Sequence, residues 1–171
     1  METKIMTPIT PATNGTLKSA TAENALIELV TILKNGEANT TVNPNKRNYV
    51  TLDFNVNTGS VAISFSIPSV PIITATGSIE ISASEYLTNL GFNGGTGGTF
   101  KSSTAAQSLI EIASYLQAKE FDSTSNIADN NYTNFSYDGD KSVFSGSATI
   151  PFDVSIGSDG KPIINVVEYL L

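Results

Sequence analysis

The sequence predicts an α+β fold made by tandem duplication. Each copy is one helix followed by an antiparallel meander of about four strands, and the two copies pack together. Three observations carry this expectation. A shift of 83 positions lays Gly15-Thr16-Leu17-Lys18-Ser19 on Gly98-Thr99-Phe100-Lys101-Ser102 and Leu26-Ile27-Glu28 on Leu109-Ile110-Glu111. The same ungapped shift lays Asn48-Tyr49 on Asn131-Tyr132, Ile67-Pro68 on Ile150-Pro151 and Glu85-Tyr86-Leu87 on Glu168-Tyr169-Leu170. Each copy then shows apolar residues at helical spacing, followed by alternation of period two. A unit of about eighty residues has a thin core by itself, so the copies are expected to share one.

The register divides the chain into an N-terminal arm (1–16), copy one (17–87), a Gly-rich linker (88–99) and copy two (100–171). The arm carries Pro8, Pro11 and Gly15 and no periodic pattern. With no upstream copy to hold, it is expected to be free to reach a neighbouring subunit, with Ile5, Met6 and Ile9 as apolar anchors. Its equivalent, Leu90–Thr99, is dominated by glycines and reads as a flexible connection.

The helix of copy one follows from Ala22, Leu26, Leu29 and Leu33, and that of copy two from Ala105, Leu109, Ile112 and Leu116. Thr21 and Thr104 stand where N-caps are expected. Ala25, Ile27, Val30 and Ile32 widen the stripe, as in a helix covered on more than one side. Val50, Leu52, Phe54 and Val56 alternate with polar residues, Asn57-Thr58-Gly59 supplies a turn, and Val61, Ile63, Phe65 and Ile67 alternate again. This is a hairpin with one buried face. Pro68 and Pro71 suggest a break, so two further short strands are expected near Val70–Thr76 and Ser78–Leu87. In copy two, Phe135 and Tyr137 precede a turn at Asp138-Gly139-Asp140-Lys141, and Phe144 to Ile156 lead to a turn at Ser158-Asp159-Gly160-Lys161. A strand is expected from Ile163 to Leu170. This order of one helix and then a meander resembles helix-wrapped sheets of the cystatin-like class, a likeness of fold that carries no function.

Composition narrows the chemistry. Only 15% of residues are charged, against roughly 25% in ordinary soluble proteins. Ser, Thr and Asn fill the polar positions, and such surfaces desolvate more cheaply than charged ones. Net charge is −7, and the nine basic residues are scattered. Nucleic acid and anionic membranes both need a basic patch, so neither is expected as a partner. No apolar run approaches the ~20 residues of a membrane span. The N-terminus lacks the apolar region of a secretion signal, so the expected site of synthesis is the cytoplasm. With no cysteine, disulfides and thiolate chemistry are excluded.

Histidine is absent as well, which removes serine triads, Cys–His dyads and imidazole acid–base work. Zinc, copper and non-haem iron sites normally use imidazole or thiolate, so no metal site or cofactor is expected. Carboxylates remain. Glu28/Glu111, Glu37/Glu120 and Glu85/Glu168 are the acids shared by both copies. Glu28 is expected to be a solvated or capping helical carboxylate, and Glu85 and Glu168 to sit at strand ends. Asp138-Gly139-Asp140 opens like a calcium loop, but Ser142 and Thr149 stand where further ligands belong. A tight hairpin turn fits better. Gly94-Gly95-Thr96-Gly97-Gly98 lacks the Gly-Lys-Ser/Thr and the preceding strand of a phosphate loop. The sequons at Asn14, Asn39, Asn131 and Asn134 are expected from composition alone.

The functional expectation is a non-catalytic structural or assembly protein. Internal duplication suits packing into a symmetric assembly. Its most specific form is a phage or viral particle component, a capsid decoration (cement) or tail protein incorporated into a virion. Partners are then protein subunits of the same or a neighbouring kind, in a homo-oligomer or larger assembly. The alternatives are a small-ligand binding module with a pocket between helix and sheet, and a carboxylate-dependent hydrolase.

Overall fold

In the computed structural model, which describes residues 9–170, the first half runs α1 (Ala22–Ala38), β1 (Val50–Asn55), β2 (Ser60–Ile73) and β3 (Ile79–Ala83). The second half runs α2 (Ala105–Phe121), β4 (Thr133–Asp138), β5 (Val143–Ile156) and β6 (Pro162–Val166). Every element of the second half has the bounds of one in the first, moved by 83 residues. The strands form one antiparallel sheet in the order β1-β2-β5-β4, with β3 paired to β2 and β6 to β5.

The central β2–β5 ladder is symmetric about Ser64 opposite Ser147, which are equivalent positions. Val61 faces Ile150 on one side of that point, and Ile67 faces Phe144 on the other. Each half therefore contributes the same stretch of strand to the joint.

One face of the sheet is core. Val61, Ile63, Phe65 and Ile67 of β2 are buried, as are Phe144, Ala148, Ile150 and Phe152 of β5. The helices supply the other side with Leu26, Leu29 and Leu33 from α1 and Leu109, Ile112 and Leu116 from α2, all fully buried. The opposite sheet face carries small polar residues such as Ser66, Asn134, Ser147 and Thr149, all exposed. Phe65 and Phe135 lie on either side of Gly146 and stack over it, ring centroids 5.3 Å apart. A Cβ at Gly146 would stand 2.7 Å from Phe135 Cα, so only glycine lets the two rings close.

Two expectations are corrected. Among the described residues each half has three strands rather than about four, because β2 and β5 run on through their prolines. Ser66 N–H bonds Tyr49 on the β1 edge, whereas Ser69 N–H bonds Ser142 on the β5 edge. By that alternation the missing N–H of Pro68 lies past the end of β1, on the β3 edge, where Pro68 O still accepts Ser84 N–H and one reciprocal bond is lost. The missing N–H of Pro71 points to the edge where β5 has already ended. A strand runs on through a proline where the neighbouring bonds of the ladder hold it.

The arm is also not free where it is described. Thr13 and Thr96, again equivalent positions, form an antiparallel bridge with N–H···O distances of 2.8 and 3.1 Å. Thr16 N–H donates to Asn93 O, and Thr99 N–H to Thr10 O. Ile9 is buried against the core. Residues 9–16 and 93–99 thus form a second seam between the halves. The glycines serve close approach rather than flexibility. Gly95 has φ of 70°, and a Cβ on it would meet Thr13 O at 2.6 Å. Ile5 and Met6 lie outside the described residues.

Candidate functional site

The shared carboxylates all engage groups of the chain itself. Glu28 leaves α1 towards the segment that enters the helix. It accepts the N–H groups of Lys18 (2.9 Å) and Ser19 (3.1 Å) and the Ser19 hydroxyl. Glu111 holds Lys101 and Ser102 in the same way. Both are half-buried, so the expectation of a solvated carboxylate gives way to one that anchors the helix approach.

Glu37 and Glu120, in the last turns of the helices, each hold a tyrosine pair. Glu37 accepts Tyr49 N–H and the Tyr86 hydroxyl (2.7 Å). Glu120 accepts the N–H groups of Tyr132 and Thr133 and the hydroxyls of Thr133 and Tyr169. In both halves the two rings meet edge-on with centroids 4.7 Å apart. Burial, then the Glu37 carboxylate, pushes the Tyr86 phenol well above its ordinary range. Burial and Glu120 do the same at Tyr169. Both phenols donate to their carboxylates.

Glu85 and Glu168 follow the short strands β3 and β6. Glu85 accepts Ala106 N–H and so caps the first turn of α2. Glu168 accepts the Asn24 side-chain amide of α1. Thr21 and Thr104 occupy the cap positions but make no side-chain cap bond.

One buried acid has no repeat partner. Glu23 of α1 is fully buried, and its Oε2 accepts the N–H groups of Tyr169 (2.9 Å) and Leu170 (3.3 Å). Its Oε1 has no hydrogen bond among the described residues. Burial raises its carboxyl above 4.5, the backbone N–H groups oppose this, and Glu168 adds to it. The equivalent residue is Ala106, so the repeat pattern gave no sign of Glu23. The buried Asn43 and Asn126 were also missed. Each ties down the loop after its helix through both ends of its amide.

The remaining candidates resolve into local structure. Asp138 Oδ1 accepts Asp140 N–H and Lys141 N–H, closing the turn. Among the described residues, no group of three acidic side chains is placed to hold a metal. Asn14, Asn39, Asn131 and Asn134 are exposed. No helix among the described residues is long and apolar enough to cross a membrane. A narrow cavity of about 20 Å³ lies at the second seam between Ile9, Leu17, Phe92 and Phe100. That is room for about one water. A wider groove of about 690 Å³ opens between α2 and the β2–β3 hairpin, past Ile72, Glu80, Gln107 and Ile110.

What projects from the body exposes large aliphatic side chains. Past Pro68 and Pro151, β2–β3 and β5–β6 continue as two-stranded arms. Ile73 and Ile79 at the tip of the first are 79% and 72% exposed, and Ile156 of the second is 70% exposed. Set against known proteins, the chain matches no protein-family model, no curated protein and no solved structure.

Proposed function

We propose that the chain is a tandem duplication of one helix-and-sheet unit, and that it serves as a non-catalytic structural protein within a protein assembly. The coincident element bounds and the ladder centred on Ser64 and Ser147 support the duplication. The observation that carries the assembly role is the pair of projecting arms, each exposing several large aliphatic side chains in a chain otherwise poor in charge. Contiguous apolar surface of this kind marks an interaction site. The shared carboxylates support the non-catalytic part, since each is engaged by backbone or neighbouring side chains. A virion component is the most specific form of this reading.

Light scattering of the chain over a range of concentrations tests it. A mass above the monomer that grows with concentration is expected. A strictly monomeric protein would count against assembly with its own kind.

A further inference from the structure

Antiparallel partners share a face, so the pairings sort each arm into two sides. In the first arm Ile73 pairs with Ile79 and Pro71 with Ile81, on the side that continues the sheet's core face. In the second arm Ile156 pairs with Pro162 and Val154 with Ile164, again on the core side. Every one of these residues is apolar. The other sides are mixed: Val70 with Ser82 and Ile72 with Glu80 in the first arm, and Asp153 with Asn165 and Ser155 with Ile163 in the second, so the charged side chains of the paired strands lie there. The core face therefore runs on beyond the point where helices cover it, once at each end of the β2–β5 ladder.

We infer that these two faces are docking surfaces for a second copy of this chain, the apolar side of one copy's arm covering that of another's. This rests on the assembly reading and names its contact. Charge favours a like partner. The chain carries −7 overall, yet these faces bear no formal charge, and the arms' acids point away from them. Like copies thus meet without opposing charges at the joint. A two-stranded ribbon with both sides wet is also marginal in water, so cover adds stability.

Size sets the strength. Five residue pairs per arm, at ~3.4 Å per residue and ~4.8 Å between strands, give a face of about 17 by 10 Å. That is well below the ~800 Å² per partner of a stable complex. Association through one arm is weak and concentration-dependent. Because the arms leave opposite ends of the antiparallel ladder, contacts at both ends extend a row of copies rather than closing a pair.

Sedimentation velocity tests this on the whole chain, on Ile73→Asn, on Ile156→Asn and on the double variant. These side chains are already largely exposed, so melting should be unchanged in each. The native chain should form species beyond a dimer. Either single variant should stop at the dimer or before, and the double variant should need about tenfold higher concentration to associate at all. Native-like association by the folded double variant overturns arm docking and leaves the assembly reading standing. A native chain that never associates overturns arm docking and, with it, assembly of this chain with its own kind.

Discussion

Replacing Glu28 with alanine tests whether the repeated carboxylates hold the fold together. The substitution removes the acceptor of three donors, Lys18 N–H, Ser19 N–H and the Ser19 hydroxyl. A hydrogen bond to a charged group contributes about 1.5–3 kcal/mol when buried. Lys18 is exposed and its N–H can turn to water, so that bond is discounted to well under 1 kcal/mol. The half-buried Ser19 pair keeps more, and the sum is about 2–3 kcal/mol. For a chain of this size that is a fall of ~4–12 °C in melting temperature. Glu28→Gln keeps one acceptor oxygen and should lose roughly half as much. Glu111→Ala, with the same partners in the second half, should match Glu28→Ala. The assay is thermal and urea unfolding beside Glu80→Ala, an exposed acid on the first arm. If Glu28→Ala costs no more than Glu80→Ala, the anchoring role is wrong.

Two further outcomes follow from burial. Leu109→Ala empties a fully buried site between α2 and the sheet and should cost about 2–5 kcal/mol in urea unfolding. Glu23 supplies a pH dependence. Burial raises its folded carboxyl above the ordinary carboxylate range, so the fold favours the protonated form. That stability is fully present below the unfolded value and is lost as pH rises through the folded one. Relative to Glu23→Gln, the native chain should therefore lose stability as pH rises from about 4 towards neutrality. Melting curves whose difference is flat with pH would refute the burial of that charge.

Much of this fold is legible in the sequence, for reasons that particular residues make plain. Leu26, Leu29 and Leu33 recur at helical spacing because one face of α1 meets the sheet. Val61, Ile63, Phe65 and Ile67 alternate because β2 is buried on one side only. The repeated Asn-Tyr and Glu-Tyr-Leu runs mark the tyrosine pairs on Glu37 and Glu120, although repetition alone does not say that the rings meet. The illegible parts depend on direction or on partners distant in sequence. Pro68 and Pro71 read as breaks because a sequence does not show which edge an N–H faces. The glycines near Thr96 read as slack because the strand that crowds them lies some eighty residues away. Glu23 carries no signal, since its use depends on the chain returning at Tyr169 and Leu170.

The ends of the two halves are tied into each other. The first half ends by serving the second: Glu85 caps α2, and Gln107 of α2 bonds Ile81 O and Ala83 N–H along β3. The second half ends by serving the first: Tyr169 and Leu170 are held by Glu23 of α1, and Glu168 meets Asn24. Each short strand is thus followed by a tail that covers the other half's helix N-terminus. The exchange is reciprocal but not identical. Asn24 stands where Gln107 does and is one methylene shorter, so it reaches Glu168 rather than bonding β6 as Gln107 bonds β3. A buried acid is then present at position 23, where the other helix has alanine. The first arm is fastened to α2 by two side-chain bonds to strand backbone, whereas the second hangs from its tail. That difference makes β5–β6 the looser of the two projecting arms. Its apolar side, from Val154 to Ile164, is then the one that gains most from being covered.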